Sequence, residues 1–219
     1  ADRMLAAEAR VDLWKLRTGR LSEGDFTHLA GAMSRLSDAP IYIDDQPGQN
    51  ILRMRSVARR LKGQKNLDLL IVDYLQLMVP SRTKASDSLV QQVTEISRSL
   101  KHLAREINIP VLALSQLSRD VEKRGGKPRL SDLRDSGSIE QDADVVMFIH
   151  RDDKTRGEKS DKPNIAEILI EKHRNGPTGK VELFFNETMS SFSDIEKSNM
   201  ADWNPQETKG DDVDEPEVS

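Results

Sequence analysis

Two strand ends carry the residues best suited to chemistry on a phosphate. Residues 69–73 read Leu-Leu-Ile-Val-Asp, four apolar residues closing on an acid. A carboxylate held at the carboxyl end of a central strand can position Mg²⁺ and its waters beside a nucleotide phosphate. Val111, Leu112, Ala113 and Leu114 run in the same way into Ser115 and Gln116. A neutral amide there can hydrogen-bond a γ-phosphate oxygen without adding a competing charge. Lys172 and Arg174 lie two apart at the end of another apolar run. Both can therefore point to one face and suit a finger role on a phosphate, in cis or across a subunit interface. No acid lies beside them in sequence except Glu171, which alternation points the other way. Each feature also has an ordinary reading: an acid at a turn, a solvated glutamine, a charged hairpin before Asn175 and Gly176.

Residues 119–134 gather six bases against three acids. Gly125, Gly126 and Pro128 predict a mobile, irregular excursion rather than a helix. Ser136, Gly137 and Ser138 follow, small residues whose backbone amides can approach a phosphate. Other chemistry is excluded by what is missing. There is no cysteine, the four histidines are scattered, and no H-E-x-x-H or G-x-S-x-G occurs. The phosphate-cradling G-x-x-x-x-G-K-[ST] is absent from these 219 residues as well. By itself the chain is therefore expected not to turn over ATP.

The elements that must position these groups follow from periodicity. Residues 4–15 predict a first helix, and Ser22 with Asp25 three residues on predicts the cap of a second, reaching about Leu36. Residues 41–43 predict a short strand, and a basic helix follows over about residues 50–62. The runs at 69–72 and 111–114 lack alternation, which predicts strands buried on both faces of a parallel sheet. Between them Val93, Ile96, Leu100, Leu103 and Ile107 form one helical stripe that stops before Pro110. Residues 144–150, 165–170 and 181–185 predict three more strands. Alternating strands and helices imply an α/β fold with a mostly parallel, twisted sheet flanked by helices.

Composition bounds the rest. The formal charge is −4, but residues 201–219 hold seven acids and one base and read as a disordered acidic tail. The remainder is slightly basic, so an acidic pI does not exclude a nucleic-acid partner. No apolar run approaches the ~18 residues that span a bilayer, and no signal peptide is evident. The chain begins at Ala without an initiator Met, and is expected to be a piece of a soluble cytoplasmic protein.

Five ordered runs resemble the replicative DNA helicases of the DnaB family. They are LDLLIVDYLQLM (67–78), ISRSLK (96–101), PVLALSQLSR (110–119), DLRDSGSIEQDAD (132–144) and KHRNGPTG (172–179). The resemblance implies a RecA-like ATPase core over residues 1–195 that lacks its N-terminal part, with residues 196–219 as the tail. It implies an ATP-driven, Mg²⁺-dependent helicase that forms a homo-hexameric ring on single-stranded DNA, and that meets primase and a helicase loader in the cytoplasm, on the nucleoid. By resemblance Asp73 is the Walker B carboxylate and metal residue, and Gln116 the γ-phosphate sensor. Lys172 and Arg174 match the basic pair that enters the neighbouring subunit's ATP site. Arg3 matches a nucleotide-side arginine. Arg134, Asp135 and Gly137 match the DNA-gripping channel loop, and Arg82 falls near another channel-loop position. A different class of reading remains, a non-catalytic module that binds single-stranded DNA or interacts with a ring.

Overall fold

The computed structural model describes residues 1–46, 48–80, 87–118, 121, 124–157 and 160–195; the acidic tail assigned to 196–219 and Arg82 lie outside the described residues. Three helices open the chain: α1 (Asp2–Ala9), α2 (Leu13–Thr18) and α3 (Glu23–Asp38). The one helix expected over residues 4–15 is broken in two. Arg10 turns left-handed at φ 55°, and the Asp12 side chain starts α2 by accepting from the Trp14 and Lys15 amides. Ser22 and Asp25 form the reciprocal cap their spacing predicts: Asp25 N donates to Ser22 Oγ at 3.2 Å, and Ser22 N to Asp25 Oδ2 at 2.9 Å. Leu29 and Ala32 of α3 pack on Ala9 and Val11 in a small core of their own. Residues 41–43 are exposed and belong to no strand, contrary to expectation.

The second core is built around α5 (Leu89–Ile107), which a Ser88–Gln91 capping box starts. Its stripe of Ile96, Leu100, Leu103 and Ile107 packs on Val72, Leu75 and Met78, with Ile51 and Ala58 of α4 (Ile51–Lys65). β1 (Leu70–Val72) and β2 (Val111–Ala113) pair in parallel, Val72 opposite Ala113, with α5 as the crossover a parallel pair requires. These strands were expected to be buried on both faces. Only Val72 is: Leu70 and Val111 are half-buried, Ala113 is exposed, Ile71 is 58 % exposed, and Leu112 and Leu114 lie open beside it.

β3 (Val145–Arg151), β4 (Ile165–His173), β5 (Gly179–Asn186) and β6 (Ser191–Asp194) form an antiparallel sheet in chain order. The α/β class holds, and among the described residues the sheet pairing is mixed: β1 and β2 pair in parallel, with a further parallel bridge between Asn50 and Val79, whereas β3 to β6 pair antiparallel. Residues 174–178 join β4 to β5 and 187–190 join β5 to β6, too short for the crossover of a dozen or more residues that a parallel neighbour needs. Val146 and Phe148 of β3 pack with Leu133 and Leu169 into a third core. Within the basic segment, residues 125–129 are irregular, as Gly125, Gly126 and Pro128 predict. The segment closes in a 3₁₀ stretch, Leu130–Ser136, that leads into the helix Gly137–Asp142. Among the described residues no helix is long and apolar enough to cross a membrane.

Candidate functional site

Asp73 and Gln116 come together because their strands are parallel neighbours. The pairing continues past both strands: Leu114 N donates to Val72 O and Leu75 N to Leu114 O, each at 2.9 Å. Asp73 is thus exposed at the carboxyl end of β1, and Gln116 emerges beside it beyond β2. Gln76 ties the two ends together. Its Nε2 donates to Ser115 Oγ at 3.1 Å and its Oε1 accepts from Gln116 N at 3.3 Å. The Gln116 backbone is held while its side chain stays exposed, with no hydrogen bond among the described residues. Gln76 was not singled out from sequence, although its place between Leu75 and Leu77, directly after a strand-ending acid, was the available signal. The carboxyl edge of parallel strands is where α/β sheets bind ligands. No group of three or more His, Asp or Glu among the described residues could hold a metal ion by itself. One open carboxylate suits Mg²⁺ that arrives with phosphates and keeps most of its waters.

Lys172 and Arg174 converge on a different corner, where β3, β4 and the helix Gly137–Asp142 meet. Lys172 Nζ donates to Glu140 O at 2.5 Å and to Ala143 O at 2.8 Å, satisfying carbonyls at the helix end. Arg174 Nη1 pairs with Asp144 at 3.1 Å, and Arg174 N donates to Asp144 O at 2.8 Å. The expectation that the pair has no acid beyond Glu171 is thereby corrected. Asp144 is distant in sequence, and the antiparallel register, with Val145 opposite His173, brings it alongside. Asp144 also holds the Lys101 ammonium of α5. That hydrogen bond, together with the nearby Arg174 and Arg105 cations, keeps the Asp144 carboxyl below its ordinary value. No hydrogen bond or ion pair among the described residues links this corner to Asp73 or Gln116.

Arg134 and Asp135 fall in the 3₁₀ stretch, and Gly137 opens the following helix. The basic segment before them is tied down at two points. Arg124 grips Asp132 through two 2.8 Å bonds, which raise the pKa of the guanidinium and lower that of the carboxyl. Lys127 pairs at 2.6 Å with Glu167 of β4, a carboxylate only 5 % exposed that Lys180 also meets at 3.1 Å. Burial alone would raise the Glu167 pKa, but the two lysines outweigh it and hold it low. Arg3 is exposed on α1, a helix packed against α2 and α3, and no hydrogen bond among the described residues brings it to either group.

Adjacent parallel strands that deliver an acid and an amide to one edge, with a basic pair on an antiparallel extension, define a RecA-like ATPase core. The family model for the DnaB-like helicase C terminal domain matches residues 1–194, and the chain belongs to that family. It is 50 % identical over 196 residues to the replicative DNA helicase DnaC of Bacillus subtilis (strain 168), covering 89 % of this chain and 43 % of that protein. It is 49 % identical over 196 residues to the replicative DNA helicase DnaB of Geobacillus stearothermophilus, with the same shares covered. The chain thus spans less than half the length of these curated relatives. The solved ATPase domain of G40P superposes with a TM-score of 0.83 at 40 % identity, over 89 % of this chain and 69 % of that one. A DnaB-like replicative helicase, solved in a study of its interactions with primase, superposes with a TM-score of 0.84 at 39 % identity, over 89 % and 47 %.

Proposed function

We propose that this chain is the motor part of a replicative DNA helicase, which hydrolyses ATP as a homo-hexameric ring, moves on single-stranded DNA and unwinds duplex at the replication fork. The observation that carries the reading is the delivery of Asp73 and Gln116 to one carboxyl edge, clamped by Gln76. In this reading Asp73 would hold Mg²⁺ beside ATP, and Gln116 would donate its amide to the γ-phosphate. Arg3 contributes from the nucleotide side. The metal ion supplies neutralisation of phosphate charge. Lys172 and Arg174 reach the ATP of the adjacent subunit, where cations stabilise charge that develops on the transferring phosphoryl group. Arg134, Asp135 and Gly137, with Arg82, face single-stranded DNA in the ring's channel, where contacts to the backbone position the strand without reading its sequence. For the whole protein, primase and a helicase loader are partners, and the cytoplasmic nucleoid is its place of work. A second reading is a non-catalytic module that binds single-stranded DNA or interacts with a ring.

Mixed rings of the full-length protein separate these readings. Asp73→Asn should abolish steady ATP hydrolysis, and Arg174→Ala should lower kcat by about 10³–10⁵, the worth of a trans finger. Mixing the two variants should restore part of the activity, because an intact Asp73 in one subunit then meets an intact Arg174 in its neighbour. Wild-type turnover by Asp73→Asn rings would refute the role given to Asp73, and absence of turnover by wild-type rings would refute the ATPase reading in favour of the non-catalytic module. Wild-type turnover by Arg174→Ala rings would refute the trans assignment.

A further inference from the structure

The exposed side of α5 carries charge that this reading leaves unused. Arg98, Lys101 and Arg105 recur at steps of three and four, opposite the stripe of Ile96, Leu100 and Leu103, so they share one face. They line a cleft of about 260 Å³ whose other wall includes Asp142 and Arg174. The acids there are already engaged. Asp142 accepts from Ser97 Oγ at 2.8 Å, and Asp144 at the rim bridges Lys101 and Arg174. Arg98 and Arg105 make no ion pair among the described residues. Four cations against two carboxylates leave the cleft with an excess of positive charge, and a concave site of one sign concentrates the opposite ion.

We infer that Arg98, Lys101, Arg105 and Arg174 together bind the triphosphate tail of a nucleotide held by an adjacent copy of this chain, and that Asp144 stands in for that anion until it arrives. The inference rests on the trans role proposed for Arg174 and extends the site to α5. Size favours a nucleotide over a nucleic-acid backbone. Arg98 to Arg105 covers about 10 Å of helix at 1.5 Å per residue, enough for three linked phosphates, whereas a strand-binding groove must follow several nucleotides. The forked guanidinium donors suit phosphate oxygens on both sides of the cleft. A polyphosphate carries more charge than the single carboxylate it displaces, so Lys101 and Arg174 gain by the exchange.

Inorganic tripolyphosphate is the probe, titrated into the 219-residue chain while the arginine Nε–H signals of Arg98, Arg105 and Arg174 are followed by NMR. Saturable shifts of these three signals are expected. Lys101→Met with Arg105→Met should weaken binding at least tenfold, Lys101→Arg should restore it, and Asp144→Asn should tighten it severalfold. A fifteen-residue oligothymidine that shifts the same signals at equal or lower concentration would overturn the inference in favour of nucleic acid. Absence of saturable shifts, or affinity indifferent to the double substitution, would overturn it outright. Full-length rings keep this test distinct from that of the trans finger. If Arg174→Ala rings are inactive while Lys101→Met and Arg105→Met rings keep wild-type kcat and KM for ATP, the α5 cleft fails and the trans reading stands. If Arg174→Ala rings are fully active, the trans reading fails and the cleft falls with it.

Discussion

The two sheets of this chain are dressed alike on one face and left alike on the other, yet they are held by different means. β1 and β2 are three residues long and owe their alignment to α5 beneath them and to the Gln76 bridge at their carboxyl ends. The antiparallel sheet has strands of up to nine residues with a ladder of its own, reinforced by Glu167 and Glu182 among Lys127, Lys162 and Lys180. On the open side both are apolar: Leu69, Ile71, Leu112 and Leu114 on the parallel pair, Val145, Met147, Ile149 and Val181 on the antiparallel sheet. A sheet that faces water on one side normally alternates apolar with polar residues, and apolar residues on both faces mark a sheet covered on both sides. These strands are therefore written for a larger domain than the described residues build. The chain covers 69 % of the solved ATPase domain of G40P.

The largest expected effect sets neighbours on one strand against each other. Phe148, 5 % exposed, packs with Val146, Leu133 and Leu169, and Phe148→Ala should cost about 3–5 kcal/mol in urea unfolding of the chain. Ile149, next to it, is 62 % exposed, and Ile149→Ser should change stability by no more than about 0.5 kcal/mol. In the full-length protein the same Ile149→Ser should become clearly destabilising, because its face is then covered. Equal costs in the two settings would break the claim that the open faces await a cover.

What was legible from the residues alone follows the same division. The stripe from Val93 to Ile107 and the Ser22–Asp25 cap are local patterns, and both held. Asp73 and Gln116 were legible because each ends an apolar run, and a parallel crossover places such ends side by side. The direction of the last strands was not, since an apolar run has no polarity of its own and only loop length bears on it, and β6, with a single apolar residue in Ser191–Asp194, was not expected at all. The convergence of Lys101, Asp144 and Arg174 was hidden because three elements far apart in sequence supply it. The break at Arg10 was hidden for a local reason: a left-handed residue with no glycine to announce it.

Acid should act on the antiparallel sheet through its carboxylates, by a smaller amount. Hydrogen bonds from Lys162 and Lys180 hold Glu182 at about 2, against an ordinary 4.5. A depressed native pKa contributes stability that is full above the unfolded value and is lost as pH falls through the native one. Glu182 should therefore stabilise the chain above pH 4.5 and cease to do so as pH approaches 2. Glu182→Gln should flatten the fall in melting temperature across that interval. An unchanged slope would show that the lysines contribute nothing through this carboxylate.

The smallest effect tests whether the two sheets are separate in stability as well as in construction. Ser88 Oγ accepts from Gln91 N at 3.3 Å, and Gln91 Oε1 accepts in return from Ser88 N at 3.0 Å, so two otherwise orphaned donors at the start of α5 are satisfied. Ser88→Ala should cost about 1 kcal/mol, the usual worth of such a cap. The loss enters at α5, and α5 is what holds β1 against β2. Hydrogen exchange should accordingly quicken in the first turn of α5 and at the amides of residues 70–72 and 111–114. The ladder of β3 to β6 does not depend on that helix for its pairing, so its amides should exchange at the wild-type rate if each sheet opens by itself. Equal acceleration in both sheets would mean that they open as one cooperative unit, and the division drawn between them would then describe their construction and not their energetics.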